Sequence, residues 1–148
     1  MNAGGTVTVS REVGAPAQAV WDVLADGWLY PNWVVGAARM RAVDDDWPRA
    51  GAQLHHSVGL WPLMLDDRTE VLESVPNRLL KLKAHAWPAG AARVVVEIED
   101  EGTGSRVHMR EDAVKGPGVL IPKPLRQLLI GPRNREALRR LALLAEGR

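Results

Sequence analysis

The C-terminal stretch GPGVLIPKPLRQLLIGPRNREALRRLALLAEGR, residues Gly116–Arg148, reads as one long amphipathic helix entered through Gly116-Pro117-Gly118. Leu125, Leu128, Leu129, Leu138, Leu141, Ala142 and Ala145 recur at helical spacings, and Arg126, Arg133, Arg135, Arg139 and Arg140 mostly lie elsewhere around the axis. Pro122 and Pro124 suit a helix start, where the missing N–H has no helical partner anyway. Pro132 is interior. It removes a hydrogen bond and crowds the preceding turn, so a kink or short break is predicted at Gly131-Pro132. A helix of this length with an apolar face needs a broad partner, and the candidate is a sheet built from the residues before it.

Those residues supply it. Thr6–Val13 alternates, with Val7, Val9 and Val13 on one side and Thr8, Ser10 and Glu12 on the other. Gly14-Ala15-Pro16 ends that strand, and Ala17, Val20, Trp21 and Leu24 follow as a short helix closed by Asp26-Gly27. Trp28–Val34 is too aromatic for a surface loop and reads as a second short helix or turn under the sheet. Strand-like stretches then run over 38–44, 52–60, 63–74, 78–87, 93–100 and 105–114, separated by Pro, Gly, Asn and Asp turn signals. The expected fold is α+β: a seven-stranded, curved antiparallel sheet around the long C-terminal helix, with two short helices after the first strand. Residues 1–148 read as a single domain. One helix cannot fill a strongly curved sheet, so a cavity between the two is expected.

Composition narrows the chemistry. The 148 residues include 46% hydrophobic ones, enough for a core, and 19 basic against 18 acidic side chains, so no polyanionic partner or nucleic acid is expected. The balance is local, though: from Lys115 onward there are eight Lys/Arg and two Glu. The absence of cysteine excludes disulfides and thiolate chemistry. No run approaches the roughly 20 apolar residues of a membrane span, and a cytoplasmic location is the expectation. Six Trp, one Tyr and no Phe supply large apolar rings with a polar tip, which suit a cavity wall or rim as well as a core.

Strand parity assigns faces. Lys81 and Lys83 outside place Leu80, Leu82, Ala84 and Ala86 inside, and His85 outside with the lysines. Val94, Val96 and Ile98 face in; so do Val107 and Met109, with Glu111 on the same parity. Leu54, Val58 and Leu60 face in with His56, and Leu63, Leu65, Thr69 and Val71 face in with Asp67. His56, Asp67 and Glu111 are therefore ionisable groups on apolar faces, where charge is costly unless paired. They are candidate catalytic residues, His56 as proton shuttle and one carboxylate orienting it. The alternative is an internal structural pair, with Arg11 able to neutralise Glu111. Candidate ligand contacts are Trp33, Leu54, His56, Val58, Trp61, Leu82, Trp87, Val96, Met109, Leu125 and Leu129. His55-His56 cannot grip one ion, because adjacent strand residues point to opposite faces, and Asp44-Asp45-Asp46 lacks the spaced oxygens of a calcium loop. No metal and no cofactor is expected. Phosphate-loop and serine-hydrolase elbow patterns are missing as well.

Pro16-Ala17-Gln18-Ala19-Val20-Trp21-Asp22-Val23-Leu24 resembles the P-x-x-x-V-W-x-x-L opening of the START-related SRPBCC superfamily. Asp67–Glu73, Pro76-Asn77-Arg78-Leu79 and Gly104–Met109 are similar to its strand and turn phrases, so the resemblance spans nearly the whole chain. It implies the helix-grip fold, found in polyketide cyclase/dehydrase-like proteins and lipid-transfer domains, and it leaves function open. Three functions remain. The first is binding of a small hydrophobic molecule such as a lipid, polyketide or isoprenoid. The second is a cyclase or dehydratase using His56 with Asp67 or Glu111. The third is a protein-interaction module docking through the basic C-terminal helix. Binding predicts a closed, continuous apolar cavity of roughly a few hundred Å³ or more, catalysis a His56–carboxylate hydrogen bond with room for substrate beside it, and interaction a filled cavity with an apolar patch outside.

Overall fold

The computed structural model describes residues 6–35, 37–58, 65–86 and 90–147. In chain order it contains β1 (Val9–Val13), α1 (Ala17–Ala25), a 3₁₀ turn (Gly27–Leu29), α2 (Tyr30–Trp33), β2 (Ala37–Val43), β3 (Gln53–Val58), β4 (Leu65–Val75), β5 (Leu79–Ala86), β6 (Gly90–Glu101), β7 (Gly104–Lys115), a second 3₁₀ turn (Pro117–Leu120) and α3 (Lys123–Glu146). The expected turns at Trp61-Pro62 and Pro88-Ala89, the inward positions of Leu60 and Leu63, and the side chains of Leu65 and Ala86 lie outside the described residues.

The strands form one antiparallel sheet in the order β1-β7-β6-β5-β4-β3-β2. Six consecutive hairpin neighbours run from β2 to β7, and the first strand returns to the far edge beside the last. This is the expected α+β helix-grip architecture. Alternation drives it. In β7, Ser105, Val107, Met109 and Glu111 are buried, while Arg106, His108 and Arg110 stand on the other face. There Arg106 pairs with Glu12 directly across from it on β1 and Arg110 with the diagonal Glu97 on β6 at 2.5 Å, while His108 Nε2 lies 2.8 Å from the diagonal Glu99 Oε1.

Two glycines set close approaches. A Cβ on Gly27 would sit 2.6 Å from Leu54 Cδ2 and 2.8 Å from Val43 Cγ1, so a side chain here would force Leu54 and Val43 to shift. Gly90 opens β6 at φ +106°, and a Cβ there would lie 1.9 Å from the Lys115 carbonyl oxygen.

α3 packs across β1, β7, α1 and α2. Its C-terminal half carries the core contacts, with Ala137, Leu138, Leu141, Ala142 and Ala145 buried. Three polar clamps fix it. The buried Gln127 side chain accepts from the Val7 N–H at 2.9 Å and donates to the Glu111 carbonyl at 2.8 Å. Glu146 accepts from the Gly14 N–H at 2.8 Å. Arg126 grips Asp112 through Nε and Nη2, at 2.8 and 3.1 Å, and also donates from Nη1 to the Ile121 carbonyl at 2.7 Å, joining β7, the 3₁₀ turn and the helix start.

Two sequence expectations are corrected here. α3 runs without a break through Pro132, where a kink or a short break was predicted, so the break does not occur. Pro132 leaves the Leu128 carbonyl without its helical donor, and both residues are exposed, so water can take that place. The apolar face also splits. Leu138, Leu141, Ala142 and Ala145 are buried, but Leu125, Leu128 and Leu129 are exposed. Leu129 and Leu138 are nine positions apart, about two and a half turns at 3.6 residues per turn, so in one continuous helix they point to opposite sides.

Candidate functional site: a cavity between the sheet and the long helix

Between α3 and the concave side of the sheet lies a cavity of about 460 Å³. Val34, Val35, Leu82, Ala84, Ala91, Ala92, Val94, Met109 and Ala113 line its sheet and α2 side. Ile121, Leu129, Ile130 and Ala137 line the helix side, and Tyr30 and Trp33 of α2 close another wall. The polar lining comprises His56, His85, Glu111, Arg126, Arg133 and Asn134. The volume falls within the range of roughly 300–1,000 Å³ usual for small-molecule sites, and an apolar wall with few polar points is their usual chemistry.

His56 is built into the wall by β3. It is 3% exposed, and its Nε2 lies 2.9 Å from Thr69 Oγ1 on β4. Thr69 is in turn 3.0 Å from the Tyr30 hydroxyl, and the Tyr30 ring stacks on the His56 ring at 5.6 Å and edge-on against Trp33 at 5.4 Å. The tautomer of His56 sets the direction of this chain: a ring accepting at Nε2 takes the Thr69 proton and Tyr30 then donates to Thr69, whereas a ring donating from Nε2–H turns the Thr69 proton toward Tyr30. Burial pushes the Tyr30 phenol up to about 12, against the opposing pull of its Thr69 hydrogen bond. Desolvation likewise holds His56 below the ordinary imidazole value, despite the Asp67 charge nearby, so the ring is neutral near pH 7. His56 Nδ1 is buried and has no hydrogen-bond partner. A buried ring nitrogen without a partner is costly.

Glu111 on β7 is buried and meets Arg133 of α3, whose Nη2 donates to Glu111 Oε2 at 2.5 Å. This corrects the expected Arg11–Glu111 pairing: Arg11 is exposed on the edge strand, and the helix supplies the cation instead. His85, expected among the outward lysines, is half-buried at the cavity wall, because it sits where β5 reaches the rim beside Ala91. Burial lowers its affinity for a proton as well.

Of the sequence-derived candidates, Trp33, His56, Leu82, Met109, Glu111 and Leu129 share the cavity lining. Leu54 and Val96 are buried in the core without lining it, and Leu125 is on the outer face of α3. Asp67 pairs directly opposite His56 in the β3–β4 register but is not part of the lining; its Oδ1 accepts from the Arg68 N–H at 2.9 Å. Trp61 and Trp87, and the side chain of Val58, lie outside the described residues. Tyr30, Thr69, Arg133 and Asn134 were missed. For Thr69 a signal existed, since it shares the inward parity of β4 one diagonal step from His56.

A second, more open hollow of about 440 Å³ carries Asp22, Asp26, Asp44 and Asp45. Asp26 accepts from the Trp28 N–H, and Asp44 accepts from the Gln53 N–H and lies 3.2 Å from His55 Nε2, so two of these carboxylates fasten local turns. Among the described residues no group of three His, Asp or Glu could hold a metal ion, and no helix is long and apolar enough to cross a membrane.

The profile of the family described as polyketide cyclase/dehydrase and lipid transport matches residues 5–146. The chain belongs to this family, within the START-related SRPBCC superfamily. Solved structures agree on the fold. A protein from Nitrosomonas europaea is 18% identical, with a TM-score of 0.74 over 99% of this chain and 97% of its own. A START superfamily protein from Mycobacterium smegmatis is 22% identical, with a TM-score of 0.67 over 96% and 94%. The di-domain ARO/CYC StfQ of the steffimycin biosynthetic pathway is 14% identical, with a TM-score of 0.68 over 96% of this chain and 51% of its own. Comparison with curated proteins gives no significant match.

Proposed function

We propose that the protein binds a small, mostly apolar molecule held between α3 and the sheet. The observation that carries this reading is the apolar-walled cavity of about 460 Å³, with only a few polar side chains, His56 among them, in its lining. A ligand that fills it gains by leaving water, about 25 cal/mol per Å² of apolar surface. Lipid, polyketide and isoprenoid skeletons all fit this description.

The catalytic alternative, cyclisation or dehydration with His56 as proton shuttle, draws on the family description and on the StfQ likeness in fold. Geometry favours it less. His56 is bonded to a threonine rather than to a carboxylate, and Glu111 is engaged by Arg133. Native mass spectrometry of freshly purified protein, followed by organic extraction, tests binding. A stoichiometric apolar adduct is expected, lost in Ala92→Trp, which fills the cavity from the β6 wall. A clean apo mass together with no uptake of the fluorophore 1-anilinonaphthalene-8-sulfonate by the wild type would sink the proposal.

A further inference from the structure

Seven of the large apolar side chains that the described residues leave exposed fall between Val114 and Leu129. Leu120 is 83% exposed, Leu128 70% and Leu129 62%, with Val119, Ile121 and Leu125 beside them in sequence. Val114 lies at the end of β7, Val119 and Leu120 are in the 3₁₀ turn, Ile121 follows it, and Leu125, Leu128 and Leu129 lie on the outer face of the first turns of α3, away from the core face defined by Leu138 and Leu141. Isolated exposed leucines need no explanation, but a contiguous set does. Ile121 and Leu129 belong both to this set and to the cavity lining, so the patch adjoins the cavity.

Charge identifies what covers it. Lys115, Lys123, Arg126, Arg133 and Arg135 lie within or beside the patch, and no acidic residue occurs from Lys115 to Arg135. Asp112 offsets part of this charge through Arg126 and Lys123, and Glu111 through Arg133, leaving a net cationic rim. A second copy docking by the same face would set these cations against one another. An apolar centre with a cationic rim fits an anionic lipid surface, where leucines enter the acyl boundary and Lys/Arg meet headgroups.

We infer that the protein docks on anionic membranes through the 3₁₀ turn 117–120 and the outer face of residues 121–129, with the adjoining cavity beside the bilayer. This rests on the binding reading above and adds the source or destination of the ligand. A molecule that is mostly apolar is costly to pass through water, and a cavity held beside lipid shortens that step.

Co-sedimentation with vesicles of phosphatidylcholine and phosphatidylglycerol in equal parts, against phosphatidylcholine alone, tests it. Wild type should partition to the anionic vesicles, and less so as salt rises. The double variant Leu120→Glu/Leu128→Glu alters exposed side chains only and should keep its melting temperature while losing on the order of tenfold or more in partitioning. Lys115→Glu/Arg135→Glu should weaken binding to the anionic vesicles by roughly tenfold or more. Uptake of 1-anilinonaphthalene-8-sulfonate is read in parallel on the same samples. Wild type that takes up the dye but ignores both vesicle types overturns the docking inference while leaving the cavity reading intact. Vesicle binding unaffected by the leucine pair overturns the assigned surface, and a wild-type dimer by light scattering that the leucine pair dissociates shows a self-association face instead.

Discussion

His56, Thr69 and Tyr30 form a buried polar thread beside the cavity, and Thr69 couples the ring to the phenol. Nitrogen-15 spectra of the His56 ring should therefore show one neutral tautomer held by the Thr69 hydrogen bond. Thr69→Val replaces the relay with an isosteric methyl and strands two buried polar atoms. It should cost about 2–4 kcal/mol in urea unfolding and release the tautomer preference. Loss of stability without a change in the ring spectrum would show that Thr69 does not orient the imidazole. Sequence parity located His56 and Glu111 on the buried side, because parity is a property of the strand alone. It could not find Thr69's role or the Arg133 partner. Those depend on which residue a neighbouring strand or a helix 22 positions away brings within 3 Å.

At the scale of elements, the hairpin from β5 into β6 shows how a backbone requirement shapes the cavity. Gly90 lines it, has φ +106°, and lies under the Lys115 carbonyl at the end of β7. A side chain there meets both a disfavoured conformation and a backbone clash. Gly90→Ala should destabilise the protein by about 2–4 kcal/mol, read by thermal unfolding. An unchanged melting temperature would mean that β6 and β7 can separate at this end. The long helix is the converse case. Its length and C-terminal core face were legible in the leucine spacing, but a proline in the sequence suggested an interruption that a solvent-facing position makes unnecessary. Reading the helix as continuous divides its leucines into a core set and an exposed set. The first holds the sheet, and the second reaches the cavity at Leu129.

Across the whole molecule, the clamp of α3 on the sheet carries an acid-labile component. The Arg126 hydrogen bonds beside Asp112 hold its carboxyl down at about 2, below the ordinary 3.8, against a smaller opposing effect of burial. The folded chain thus releases a proton that the unfolded chain keeps between these values. The stability this contributes is fully present above about pH 4 and is lost as pH falls toward 2. Glu136, held down at about 2 by Arg139 and Arg140, titrates in the same window, so the comparison must be with a variant. Asp112→Asn should melt at lower temperature than wild type near pH 7, and the gap should close between pH 4 and pH 2. A gap independent of pH would assign the clamp to geometry rather than to charge.

The sequence by itself determined the order of elements, the antiparallel sheet, the long C-terminal helix and the family resemblance. Each of these is carried by periodicity or by a local phrase, and periodicity survives in a one-dimensional reading. Only the tertiary structure decided which polar groups meet, which leucines remain in water, and that a cavity persists between helix and sheet. Those outcomes depend on the angle of α3 to the sheet and on diagonal neighbours across strands. Contacts such as Arg133 with Glu111 or Tyr30 with Thr69 join residues 22 and 39 positions apart, and nothing in either local stretch encodes the other's distance.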